Sequence, residues 1–211
     1  GSFGSPVFIT NNILKFTSLT LVLLLAALFS SCGNKDRHSY DRKSENAADS
    51  VSAIIKYEIS GTGKGSITIS KYKTDIRIDL EKSGGEISRE SRYIANGYIY
   101  FYVFNAGQLK PVKMKIVKDN NYPKGFAAFM DAGEFIPRMN KTGSEVVAGL
   151  VCDIYADKTD GSVFSVYENR YILKAQFGGN LITAVSAAIN TDVDSNYVKV
   201  PSNMEFQDIT Q

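Results

Sequence analysis

Apolar and polar residues alternate with a period of two along most of the chain. Asp75–Glu81 is the clearest stretch: Ile76, Ile78 and Leu80 point one way, Asp75, Arg77, Asp79 and Glu81 the other. That pattern predicts a strand with one wet face. Ile54–Ile59 and Ser66–Lys71 precede it, separated by a turn around Gly61, Gly63 and Gly65. Gly84-Gly85 interrupts the pattern and Glu86–Ala95 resumes it more weakly. Asn96-Gly97 marks a tight hairpin, because both residues tolerate positive φ. Tyr98–Phe104 places Tyr98, Tyr100 and Tyr102 on one face and Ile99, Phe101 and Val103 on the other, so both faces need cover. After a turn at Asn105-Ala106-Gly107, Val112, Met114 and Ile116 alternate with Lys113 and Lys115.

The period then changes. Phe126, Phe129 and Met130 recur at helical spacing, predicting a helix over Lys124–Ala132 stopped by Gly133. Glu134–Pro137 reads as an irregular apolar loop. Such a helix is either a lid over a ligand or a connector packed on the sheet. Strands resume at Ser144 and bend at Gly149. Leu150, Cys152 and Ile154 then face away from Val151, Asp153 and Tyr155. Asp160-Gly161 is a second hairpin signal. Ser162–Tyr167, Tyr171–Phe177 and Leu181–Ile189 follow, and Ala184, Ser186 and Ala188 give the last of these a small-residue face. Asp192, Asp194 and Asn196 lack the glycine and distal glutamate of an EF-hand and read as a polar turn. Val198–Phe206 reads as a final strand broken by Pro201. These elements predict a mainly β, antiparallel curved sheet or half-open barrel with one or two short helices.

A different signal precedes the strands. Leu21–Phe29 is an unbroken apolar run followed by Ser30, Ser31 and Cys32, with Lys15 ahead of it. It is shorter than the roughly 20 residues of a membrane crossing and fits the helical core of a secretory signal peptide. Leu28-Phe29-Ser30-Ser31-Cys32 resembles the lipobox of bacterial lipoproteins, with Phe29 departing from the usual aliphatic residue. The resemblance implies cleavage before Cys32, acylation of that residue and anchorage to a membrane through its acyl chains. Two or three chains hold a protein far more firmly than one. Gly33 after the cysteine favours the outer membrane by the same resemblance. An ordinary secretory signal with a chance cysteine and a buried core helix are the competing readings. The expected organisation is a signal peptide over 1–31, a polar tether over 32–50 and a single β domain over 51–211.

Composition narrows the chemistry. Removing Lys15 with the leader lowers the formal charge from +2 to +1, too small for a nucleic-acid footprint. The chain has two cysteines and one histidine. With Cys32 acylated, Cys152 has no disulfide partner. Cys152 shares its face with aliphatic residues and reads as an inert buried thiol. His38 lies in the tether and reads as an exposed residue. Neither a histidine metal cluster nor a Ser/His/Asp triad can be assembled, so no metal, cofactor or catalytic residue is expected.

Gly143-Ser144-Glu145-Val146-Val147-Ala148-Gly149-Leu150-Val151-Cys152-Asp153-Ile154-Tyr155 resembles the G-x-E-x-V-A-G-x-x-C-x-x-Y segment of a domain family common in Bacteroidota lipoproteins. That family is similar in layout to the lipoprotein carriers LolA and LolB. The resemblance implies a half-open antiparallel barrel of about eleven strands with helices across the opening, and it carries no catalytic residue.

Two functions follow as expectations. The first is a non-catalytic envelope lipoprotein that binds a lipid or other apolar small molecule in a concave sheet, through Tyr98, Tyr100, Tyr102, Phe126, Phe129 and Met130. The second is an envelope lipoprotein with a filled core that binds another envelope protein. An enzyme built on Asp75 and Asp79 is disfavoured, because both match the wet face of a strand.

Overall fold

The alternating stretches form twelve strands among the described residues. The computed structural model describes residues 52–83, 88–104, 111–116, 125–134 and 136–210. The leader, Cys32, His38 and the 32–50 tether lie outside them. The strands are β1 (Ala53–Gly61), β2 (Gly65–Tyr72), β3 (Asp75–Lys82), β4 (Ser88–Ala95), β5 (Tyr98–Phe104) and β6 (Val112–Lys115). The second half contributes β7 (Asn140–Val147), β8 (Leu150–Ala156), β9 (Val163–Tyr167), β10 (Tyr171–Phe177), β11 (Asn180–Ile189) and β12 (Gln207–Asp208). They make one sheet in the order β12-β6-β5-β4-β3-β2-β1-β11-β10-β9-β8-β7. Each half is a meander of neighbouring hairpins, and the two join where β1 pairs β11. Every pair is antiparallel except β12 with β6. Among the described residues the sheet has two edges, β12 and β7, so it is the half-open architecture expected rather than a closed barrel.

Directly paired residues share a face, so the register defines an inner side. Tyr57 opposes Ile67, Ile67 opposes Leu80, and Ile55, Ile69 and Ile78 line up in the same way. All six are buried. Continuing outward, Ile78 opposes Arg92 and Arg92 opposes Phe101. The other face carries Arg77, Tyr93 and Tyr100, each opposite the next.

The predicted helix over Lys124–Ala132 is instead a 3₁₀ segment at Gly125–Met130, followed by two shorter turns at Ala132–Glu134 and Ile136–Arg138. A three-residue repeat stacks i on i+3, and the Phe126 and Phe129 rings meet at 5.9 Å. An amphipathic α-helix needs a wet side. Here Phe126 to Met130 are all buried, so there is none.

The predicted strand at Val198–Phe206 is also corrected. Asp194 caps a single helical turn, α1 (Ser195–Val198), its carboxylate accepting the Asn196 N–H at 2.9 Å. Irregular chain follows through Pro201, and pairing resumes only at Gln207–Asp208. The small-residue face of β11 is divided by a bulge. Lys56 opposes Ser186 while Tyr57 opposes Ala184, which leaves Val185 as the extra residue. Ala184 is therefore buried on the inner side, while Ser186 and Ala188 are exposed.

Candidate functional site

Over β1–β3, the inner side is covered by the chain itself. Phe129 meets the ring of Tyr57 edge-on, with centroids 5.3 Å apart. Met130 has no exposed surface and Phe129 only 3%. Tyr57 turns its hydroxyl away from the rings and donates it to Ile172 O at 3.0 Å. Burial raises the Tyr57 phenol well above its ordinary range, so it stays neutral. Just past the 3₁₀ segment, the Ala132 N–H donates to Arg170 O at 2.7 Å, fixing its end to the β9–β10 turn. Farther along the inner side, Arg92 pairs with Glu90 and lies over Phe101, 5.2 Å from its centroid. Sequence reading missed this pair because a buried charge inside β4 looks like a weakness in the alternation.

The six residues expected to bind a ligand do not come together. Phe126, Phe129 and Met130 pack on the inner side with Tyr57. Tyr98, Tyr100 and Tyr102 lie on the opposite face, shared with Ala95, Tyr93 and Ser91. There Tyr100 meets Phe206 edge-on at 5.1 Å, and Lys113 lies 5.5 Å from the centroid of Tyr98. Tyr100 thus forms part of the bed for the C-terminal segment. A surface groove of about 390 Å³ at the Gly61–Gly65 end is lined by Glu58, Lys64, Glu81 and Lys82 among others. Ile59, Ser60, Gly65, Ser66 and Ser83 complete its lining.

The segment Gly143–Tyr155 reads as architecture, residue by residue. Ala148 and Gly149, with φ of 50° and 80°, make the two-residue turn joining β7 to β8. Gly143 follows a bulge at Thr142. Val147 and Cys152 are buried. Tyr155 is buried and donates its hydroxyl to Asn169 Oδ1 at 2.9 Å. Glu145, opposite Cys152, accepts from Lys174 Nζ at 2.9 and 3.2 Å and from the Ser165 hydroxyl. Lys174 first, then Ser165, hold the Glu145 carboxyl below its ordinary range. Ser165 next to Lys174 invites comparison with a nucleophile and its base. Here the serine hydroxyl donates to a carboxylate that resists protonation, and Lys174 Nζ donates to that same carboxylate. Burial pushes the Cys152 thiol up, and Glu145 and Asp153 add to that, which disfavours a reactive thiolate. Among the described residues, no three His, Cys, Asp or Glu side chains gather as a metal site.

No family model matches the sequence, and no curated protein matches it. Among solved structures, an uncharacterized conserved protein from Thermus thermophilus is similar over 92% of this chain and all of its own, with 8% identity and a TM-score of 0.52. That likeness concerns the fold alone. The MucA/MucB complex of Pseudomonas aeruginosa aligns over 77% of this chain with 12% identity and a TM-score of 0.47. MucB by itself aligns over 77% with 14% identity and a TM-score of 0.46. The chain spans 60% and 62% of those two chains.

Proposed function

We propose that this protein is a non-catalytic, lipid-anchored component of a bacterial cell envelope that works by binding another protein through its sheet. The observation that carries this reading is the occupied inner side. A concave sheet that encloses a lipid needs apolar space. Here Phe126, Phe129 and Met130 take that position against Tyr57 and the β1–β3 isoleucines. The polar clusters bind each other, as Glu145 does Lys174 and Arg92 does Glu90, so they support a structural role rather than catalysis. The lipobox at Leu28–Cys32 supports the anchor.

Mass spectrometry of the protein extracted from membranes tests the reading. The expected species starts at an acylated Cys32 and carries no small molecule when sprayed under native conditions. An unmodified Cys32 would remove the anchor. A stoichiometric lipid or other apolar molecule released on unfolding would restore the ligand-binding alternative.

A further inference from the structure

The C-terminal segment leaves β11 at Ile189 and crosses the outer face of the sheet to end on β6. Its root is pinned to the start of β1: the Asn190 N–H donates to Ser52 O at 2.8 Å, and the Ser52 hydroxyl to Thr191 O. Its middle is latched. Arg77 lies 4.1 Å from the centroid of Tyr197 and 5.3 Å from that of Tyr93. The same guanidinium forks onto Asp79 at 2.9 and 3.0 Å, and the Tyr197 hydroxyl donates to Asp79 at 2.9 Å. Val193 and Val198 are buried beside this latch.

Beyond α1 the hold is light. Lys199, Ser202, Asn203 and Glu205 are exposed. β12 has two residues, both exposed, and pairs in parallel. Its attachment is the Gln207 N–H to Pro111 O at 2.8 Å, the Ile209 N–H to Lys113 O at 3.0 Å and the Lys115 N–H to Thr210 Oγ1 at 3.0 Å. Phe206 rests on Tyr100, and Asp208 reaches Lys113 at 3.7 Å. Short parallel pairing with exposed side chains belongs to the low-stability end of a fold.

We propose that Lys199–Thr210 is a displaceable strap: it leaves β6 while α1 stays latched, and the uncovered edge accepts an extended segment of a protein partner. This rests on the protein-binding reading above. The strap itself specifies the partner's chemistry. A strand docking on β6 meets Lys113 on the edge and Tyr100 on the adjoining face. It therefore carries an aromatic residue and, two positions later, a carboxylate, as Phe206 and Asp208 do. Edge addition of this kind takes affinity from main-chain hydrogen bonds and specificity from alternate side chains.

Hydrogen exchange on the full chain, with no partner present, tests the opening. The amides of Gln207 and Ile209 are expected to exchange at least ~10-fold faster than those of Ile69 and Ile78 in the central strands. Exchange of all four at one rate would overturn the strap while leaving the protein-binding reading in place. A labelled peptide of residues 202–211 then tests the edge. It is expected to bind the full-length Phe206→Ala variant more tightly than the unaltered chain, and to lose at least ~10-fold in affinity when it carries Asp208→Lys. Absence of binding to the Phe206→Ala variant, or indifference to the charge swap, would overturn the docking edge.

Discussion

Glu145 on β7 meets Lys174 on β10 across two intervening strands, with Lys174 Nζ 2.9 Å from Glu145 Oε2. Neighbouring strands lie about 4.8 Å apart, so a flat sheet would hold these side chains far from each other. The sheet must curl for them to touch, and the pair pins the β7–β8 hairpin in that curl. The clamp has a pH signature. Glu145 is held below its ordinary range, so its contribution is complete above the unfolded carboxyl value of roughly 4.3. It is lost as pH falls through the folded value. Both side chains are about one-third exposed, so screening limits the effect. Glu145→Gln is expected to cost about 0.5–1 kcal/mol at pH 7. In urea unfolding, that deficit should shrink as pH drops below the unfolded value.

The Phe129 ring fills the inner side. Phe129→Ala leaves a cavity against Tyr57 and is expected to cost about 3–5 kcal/mol, read as a lower urea midpoint with an unchanged slope. Tyr98→Ala removes a partly exposed ring on the other face and should cost far less. Equal losses at the two positions would mean that Phe129 is not part of the packed core.

Cys152 has no exposed surface, and burial raises its thiol. Iodoacetamide at neutral pH should leave it unlabelled in the folded protein and label it fully in urea. Rapid labelling of the native chain would show that the Glu145–Cys152 pairing does not shield the sulfur.

Ala148 holds φ at 50° in the turn between β7 and β8, a conformation that penalises a Cβ by roughly 1 kcal/mol. Asn tolerates it better. Ala148→Asn is therefore expected to raise Tm by about 1–3 °C. Gly149→Ala should lower it, although a Cβ there meets nothing within 4 Å. The penalty at Gly149 lies in the backbone alone.

Most strands were legible because their side chains read two environments. β3 announces itself through Ile76, Ile78 and Leu80 against Arg77 and Asp79, and β5 has the bounds Tyr98–Phe104 that its alternation indicates. What alternation cannot say is which distant element covers a face. The tyrosines of β5 looked like a ligand surface because Phe206, about a hundred residues on, could not be placed against Tyr100. The bulge at Val185 was invisible for another reason. In Ala184-Val185-Ser186-Ala187-Ala188 no large residue marks which side a position takes. The Glu145–Lys174 clamp joins residues 29 apart in sequence, and its one trace was Glu145 within Gly143–Tyr155. That segment signalled importance without saying that the importance is structural.

Among the described residues, Phe126, Phe129 and Met130 pack on the inner side of β1–β3 as part of the core. Titration of the full chain with an environment-sensitive fluorescent fatty acid tests it most directly. No saturable signal is expected from the unaltered chain, and a new saturable signal is expected once Phe129→Ala opens a cavity. Saturable one-to-one binding by the unaltered chain, abolished by Phe129→Trp, would contradict it.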